Sequence, residues 1–270
     1  MTPDAVFEYQ ELYRREVLRR VGEIAARRDG SAVDVVNEAP STEAFLADYG
    51  AQSAPLVIRG YVDREALAAI GWDVLRARFG STPVVVRRYP ERIGPPPLES
   101  VETLAEFIDE CVDRTPSQLA GHLLPYAGRV DLGGAFVVRR PPYLPESDYS
   151  EPFFWIGPAG TISQLHCDTG DNFFVQVLGR KKFVLVSPQY AGRLGARTRN
   201  EDSIDSAYDL SELPAGIPSI ALTLGPGDLL YLPGYWFHHV EAVDASVSQN
   251  YWVVSRPPLA VSWRPQPDPA

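Results

Sequence analysis

Gly225-Pro-Gly-Asp-Leu-Leu-Tyr-Leu-Pro-Gly-Tyr-Trp-Phe-His-His-Val240 is the stretch on which the reading of this chain turns. A Pro-Gly-Asp turn launches a short apolar strand, a Pro-Gly bends it, and aromatic residues bury the end where His238 sits. Upstream, strand-like runs at Phe153–Ile156, Asn172–Val177 and Lys182–Val186 are separated by Gly, Pro, Asp and Asn. Short strands broken at this spacing predict a sandwich or barrel, and this character begins near Ala135.

Before that point the pattern is mostly helical. Phe7, Leu12, Val17, Val21 and Ile24 recur at helical spacing over Val6–Arg28. Ser41 is placed to N-cap a second helix carrying Phe45, Leu46 and Tyr49. Residues 64–79 and Thr103–Val112 read as further helices, Pro55–Gly60 and Pro83–Arg88 as strands, and Gly94–Pro97 as a loop. The expectation is a mainly β fold with flanking helices in one domain, residues 1–270. Its helical region covers about 1–130 and its β core about 131–258. A Pro-rich tail, 259–270, is expected to be poorly ordered towards Ala270.

With 45% hydrophobic and 22% charged residues the composition is that of an ordinary globular chain, long enough to bury a sizeable core. A formal net charge of -10 argues against a nucleic-acid backbone as partner and fits a neutral or cationic one. Cys111 and Cys167 make no disulfide framework, and no signal sequence or long apolar span is present. The expectation is a cytoplasmic protein with no membrane contact. The N-terminal helix or the tail could form a homodimer contact, although neither pattern requires one.

The chemistry is concentrated in few residues. The chain has four histidines, His122, His166, His238 and His239, and its only lysines are Lys181 and Lys182. In His166-Cys167-Asp168, two potential ligands lie two apart, which on a strand puts both on one face. An imidazole and a carboxylate side by side supply two ligands of a facial triad that leaves metal positions open, as non-haem Fe(II) chemistry requires. A hydrogen-bonded core histidine and a turn-capping aspartate are the plain alternative.

His166-Cys-Asp168, Asn172, Gly179-Arg-Lys-Lys-Phe183 and Gly227–His239 together resemble the JmjC family, in its cupin-like hydroxylase branch containing the asparaginyl hydroxylase factor inhibiting HIF. Ser41–Gly60 resembles that branch's entry helix and strand, so the likeness covers about residues 40–255. It implies a double-stranded β-helix core with N-terminal helical packing. It also implies an Fe(II)- and 2-oxoglutarate-dependent dioxygenase that uses O2 and releases succinate and CO2. By position the iron ligands, and with them the catalytic centre, fall on His166, Asp168 and His238, with His239 a neighbour. Lys181, fifteen residues after His166, falls on the lysine that pairs with the distal carboxylate of 2-oxoglutarate. Ser163, Asn172 and Asn250 match further polar positions of that pocket.

Where the family often carries a co-substrate-binding Tyr, this chain has Gln118. An amide there, or Tyr126 or Tyr143 from elsewhere, is left to complete the anchor, and His122 reads as structural. Trp155, Tyr235, Trp236 and Trp252 are candidates for the pocket wall. The substrate implied by the branch is a C–H bond of a peptide, protein or amino-acid-like molecule. N-methyl demethylation by the same family is one rival. A cupin binding another metal, acting as an isomerase or ligand-binding module, is the other, and a catalytically silent scaffold is the third. The segment Tyr190–Pro218, between the ligand motifs, reads either as a substrate-covering loop or as a disordered insertion.

Overall fold

A computed structural model describes residues 3–28, 31–68, 70–88, 98–112, 124–132, 138–254 and 256–262. The chain begins with α1 (Pro3–Arg27), followed by β1 (Asp34–Val36), α2 (Thr42–Phe45), β2 (Leu56–Ile58), α3 (Arg64–Ala68) and α4 (Trp72–Phe79). Next come β3 (Pro83–Arg88), β4 (Leu98–Thr103), α5 (Leu104–Val112) and β5 (Pro125–Val130). The core strands are β6 (Phe153–Gly157), β7 (Ile162–Asp168), β8 (Asn172–Leu178) and β9 (Lys181–Val186). A small hairpin follows, β10 (Arg197–Thr198) and β11 (Ser203–Asp205). The series closes with β12 (Ile220–Leu224), β13 (Leu229–Leu232), β14 (Phe237–Ala242), β15 (Ser246–Trp252) and α6 (Leu259–Ser262).

The strands form two sheets, ordered β1-β2-β13-β8-β15-β6-β5-β3-β4 and β10-β11-β7-β14-β9-β12. Successive core strands pass from one sheet to the other, β6 to β7 to β8 to β9 and then β12 to β13 to β14 to β15, which is jelly-roll winding. The expected mainly β fold with an N-terminal helical layer is therefore what the chain adopts. The stretch before residue 131 is less helical than expected, however, since it supplies β1 to β5 to the larger sheet. Of these, β2 and β3 fall on the strands expected at Pro55–Gly60 and Pro83–Arg88, whereas β1 is short and β4 is largely exposed at the sheet edge, so neither alternation nor an apolar run announces those two. The helix expected over 64–79 is likewise broken before Trp72.

Side chains sort between an interior layer and two outer layers by the two-residue strand period. Phe174, Phe183, Leu185, Leu230 and Leu232 meet between the sheets. Phe154, Ile156 and Val177 turn outwards under α4 and α5, while Val17 and Val21 of α1 cover Leu165, Cys167 and Phe237 on the smaller sheet. Because both of its faces are covered, β8 is buried along almost its whole length, and its Asn-Phe-Phe-Val-Gln-Val sequence lacks clean alternation.

Ser41 caps α2 by accepting a hydrogen bond from Ala44 N at 3.2 Å, as its position predicts. Asp228 of the Pro-Gly-Asp turn accepts from Gly225 N at 2.8 Å and Gly60 N at 3.2 Å, and it pairs with Arg59. The two motifs that open and close the matched stretch thus meet at β2 and β13. The segment 190–218 is an ordered extension whose β11 pairs with β7.

Phe45 is fully buried, stacked on Tyr143 at 3.9 Å and packed against Phe173 and Tyr231. Phe45→Ala is expected to cost about 3–5 kcal/mol of unfolding free energy. Urea unfolding measures this, and a change under 1 kcal/mol would show that the contact is not fixing the α2 layer.

Candidate functional site

β7 and β14 lie side by side in the smaller sheet, and their register sets His166 directly opposite His238. The two rings approach to 4.3 Å between centroids, tilted by 50°. His166 Nδ1 lies 2.6 Å from the carbonyl oxygen of Gln164, and His238 Nδ1 lies 3.0 Å from that of Trp236. Each carbonyl accepts the Nδ1 proton, which leaves the Nε2 lone pair of each ring for a metal. Burial, reinforced by His166, pushes the His238 imidazolium down to about 4, so that ring is neutral at physiological pH. His239 belongs to the opposite face of β14, one residue along.

Asp168 shares the face of His166 at the end of β7, and its Oδ2 accepts a hydrogen bond from Trp252 Nε1 at 3.1 Å. Among the described residues, no three His, Cys, Asp or Glu side chains are gathered closely enough to hold an ion in this side-chain arrangement. The donor chemistry nonetheless fits one, with two imidazoles oriented through Nδ1 and a carboxylate alongside.

Ser163 illustrates a geometry that sequence spacing hides. Three residues from His166, an unbroken strand would put it on the other face. The register between β7 and β14 shifts here, so that Val240 opposes Ser163 while His238 opposes His166. Two residues of β14 span three of β7, and this bulge returns Ser163 to the interior side.

Lys181 is 2% exposed, and its ammonium has no hydrogen-bond partner among the described residues. It lies 5.4 Å from the Tyr126 ring centroid and 5.6 Å from that of Phe174, so π faces attend the charge. Asn172 is buried with no hydrogen-bond partner for Oδ1 among the described residues, and Asn250 Oδ1 accepts from Trp155 Nε1 at 2.8 Å. Gln118 and His122 lie outside the described residues. Of the two tyrosines considered in its place, Tyr126 is the one beside Lys181, whereas Tyr143 stacks on Phe45 in an outer layer.

Trp155 and Trp252 stand on this wall, while Tyr235 packs under α1 and Trp236 donates its indole N–H to the Ser53 carbonyl. Gly128, two residues after Tyr126 on β5, carried a signal that the sequence pattern did not make plain. A Cβ at Gly128 would lie 2.4 Å from the Trp155 ring, so the glycine makes room for that indole.

The architecture is that of a cupin-type barrel with histidines and a carboxylate at one end of its interior and a buried cation deeper in. The profile of the Cupin-like domain matches residues 41–256. The chain belongs to that family, in its JmjC type, whose members are Fe(II)- and 2-oxoglutarate-dependent oxygenases. It is similar to Jumonji C domain-containing protein 5 of Drosophila melanogaster, 34% identical over 105 residues, covering 36% of this chain and 26% of that protein. Lysine-specific demethylase 8 of Danio rerio is 28% identical over 228 residues, covering 79% and 56%. The human bifunctional peptidase and (3S)-lysyl hydroxylase JMJD7 is 24% identical over 271 residues, covering 82% and 84%. The chain thus spans little more than half, at most, of the first two relatives. No helix among the described residues is long and apolar enough to cross a membrane.

Desolvation pulls the Lys181 ammonium from the ordinary value of 10.5 down to about 7. The folded protein therefore holds this proton less tightly than the unfolded chain does. The cost of burial is complete below about pH 7 and fades as pH rises towards 10, so this group makes ligand-free stability rise across that window. Lys181→Met is expected to raise ligand-free stability at pH 7 by ~1–3 kcal/mol and to flatten the rise. Urea unfolding between pH 7 and 10 checks both, and a less stable variant would mean the ammonium has a partner.

Proposed function

We propose that the protein is an Fe(II)- and 2-oxoglutarate-dependent hydroxylase acting on an unactivated C–H bond of a peptide, protein or amino-acid-like substrate, working as one domain in the cytoplasm. The observation carrying this reading is a buried lysine whose ammonium has no hydrogen-bond partner among the described residues, in the same barrel as two facing histidines whose Nδ1 atoms meet backbone carbonyls. A buried unpaired ammonium is a costly feature that an anionic ligand would offset. A metal-binding isomerase or a silent scaffold has no use for one.

In this reading His166, Asp168 and His238 hold the metal, and Lys181 pairs with the distal carboxylate of 2-oxoglutarate. Ser163, Asn172 and Tyr126 border that carboxylate's path, with Asn250 held by Trp155 behind them. Bound Fe(II) would supply the oxidising chemistry, consuming O2 and 2-oxoglutarate and yielding succinate, CO2 and a hydroxylated product. The chain's own part is to orient both imidazoles through backbone carbonyls, to neutralise the co-substrate's far end and to keep water out with Phe174, Phe183 and Leu185. The relatives' names include both a lysyl hydroxylase and lysine demethylases, so a demethylase reading shares every one of these roles and differs only in what is released.

Under anaerobic conditions, Fe(II) and 2-oxoglutarate together are expected to give the protein a weak visible charge-transfer band. His166→Ala and Asp168→Ala should abolish it, His239→Ala should retain it, and Lys181→Met should weaken co-substrate affinity at least tenfold. Absence of the band in the wild-type protein would overturn the co-substrate assignment. Formaldehyde release from an N-methylated peptide, without a hydroxylated product, would move the reading to demethylation.

A further inference from the structure

Trp252 closes β15 with its indole ring wedged among aromatic neighbours. It lies 6.0 Å from Trp155 at 76° and 5.8 Å from Phe153, centroid to centroid. Its backbone is fixed from both sides by Ser150, whose N donates to the Trp252 carbonyl at 2.8 Å and whose Oγ accepts from Trp252 N at 3.1 Å. From above, the Arg129 guanidinium lies 5.4 Å from the indole centroid.

Arg129 reaches this place through an unfavourable backbone. Its φ is +56°, in the left-handed region that non-glycine residues seldom occupy, and it falls where the β5–β6 register shifts between Ala127 and Val130. The guanidinium also comes within 3.8 Å of Asp202, next to Ser203, whose register partner is Asp168. Arg129 therefore spans from β5 over the indole towards the strand beside Asp168.

Aromatic contact with Phe153 and Trp155 and a cation above the ring are open to phenylalanine as well. What tryptophan adds is one N–H, and that N–H is directed at Asp168 Oδ2. An ionised carboxylate offers two acceptor oxygens. With Oδ2 accepting from the indole, the group's torsion is restrained and Oδ1 is the oxygen not engaged by that donor.

We infer that Trp252 is a positioning residue for Asp168, holding one carboxylate oxygen so that the other is presented to the metal, with Arg129 clamping the indole in that pose. The inference rests on the His166, Asp168 and His238 assignment of the preceding section. It goes beyond that assignment by naming what fixes the one ligand whose orientation is not set by a backbone carbonyl. Loss of such an outer partner typically weakens metal affinity by about 10–100-fold.

The experiment uses the full chain and Co(II) as probe, titrated by calorimetry without 2-oxoglutarate. W252F keeps the ring and removes the donor. It is expected to retain the thermal midpoint and to bind Co(II) about 10–100-fold more weakly. R129G, which relieves the positive φ, is expected to fold at least as well and to show a smaller loss. A nitrogen–proton spectrum supplies a readout free of metal. The indole resonance missing in W252F should be shifted downfield in the wild-type protein and should move upfield in D168A. Unchanged or tighter Co(II) binding by folded W252F would overturn the inference, the latter showing that the indole competes with the metal. If W252F does not fold, an indole resonance insensitive to D168A overturns it. If the wild-type protein binds no Co(II), or binds it independently of His166, the ligand assignment itself fails, and that result differs from a failure confined to W252F.

Discussion

The pairing of β7 with β14 is the constraint on which the rest of the molecule depends. It is a backbone register, and it sets His166 against His238 before any metal is considered. One step of slippage would exchange the faces of β14, bring His239 inwards and turn His238 towards α1. The register is held because each strand has a distinct face on each side. Leu165, Cys167 and Phe237 are packed under α1, while Val240 faces the inter-sheet core. The helical layer therefore does more than cover the barrel, since its apolar contact with the outer face specifies which histidine looks inwards. The same local pairing contains the bulge that brings Ser163 to the pocket side, so one strand pair fixes three of the candidate residues.

A second constraint opposes folding rather than helping it. Lys181 alternates with Lys182 along β9, and the two lysines of the chain have opposite fates, one buried and one exposed. The buried ammonium is surrounded by Phe174 and Tyr126 ring faces, which offset only part of the lost hydration. A fold that buries such a group with no hydrogen-bond partner among the described residues carries a cost that a bound anion relieves, so stability and ligand affinity are linked through one atom. His238 shows the same logic with the opposite requirement. Its burial holds the ring neutral, which is the form that donates a lone pair to a metal.

Most of the β core was legible in the sequence because turn chemistry punctuates it. Gly-Pro-Gly-Asp and Pro-Gly bound β13, and the two-residue period of His166 and Asp168 needed only a strand to place them together. Lys181 stood out by the chain's avoidance of lysine. What could not be read has physical causes. β4 and β5 lack a sustained pattern because one is exposed at the sheet edge and the other is interrupted by a bulge. Ser163 lies on the pocket side through a register shift, which no periodicity rule anticipates. Tyr126 stands beside Lys181 through strand order, since β5 joins the sheet next to β6, and strand order is a property of the whole chain. Trp252 was legible as a wall residue but not as a partner of Asp168, because its hydrogen bond crosses 84 positions of sequence.

Asp171 connects these observations. It is buried in the turn between β7 and β8, with Oδ1 accepting from Gly234 N and Oδ2 from Leu259 N, each at 2.7 Å. Burial pushes its carboxyl up to about 6. Gly234 lies in the turn that leads into β14, and a Cβ there would meet the Thr169 carbonyl at 2.9 Å and Pro258 at 2.8 Å, so the close approach requires glycine. One carboxylate thus ties together the end of the strand bearing His166 and Asp168, the start of the strand bearing His238, and α6. The Pro-Gly that bends the Gly225–Val240 stretch is therefore more than a strand breaker. It brings a bare backbone N–H to Asp171, and so the residues that turn the chain also fix where the two histidine-bearing strands begin and end.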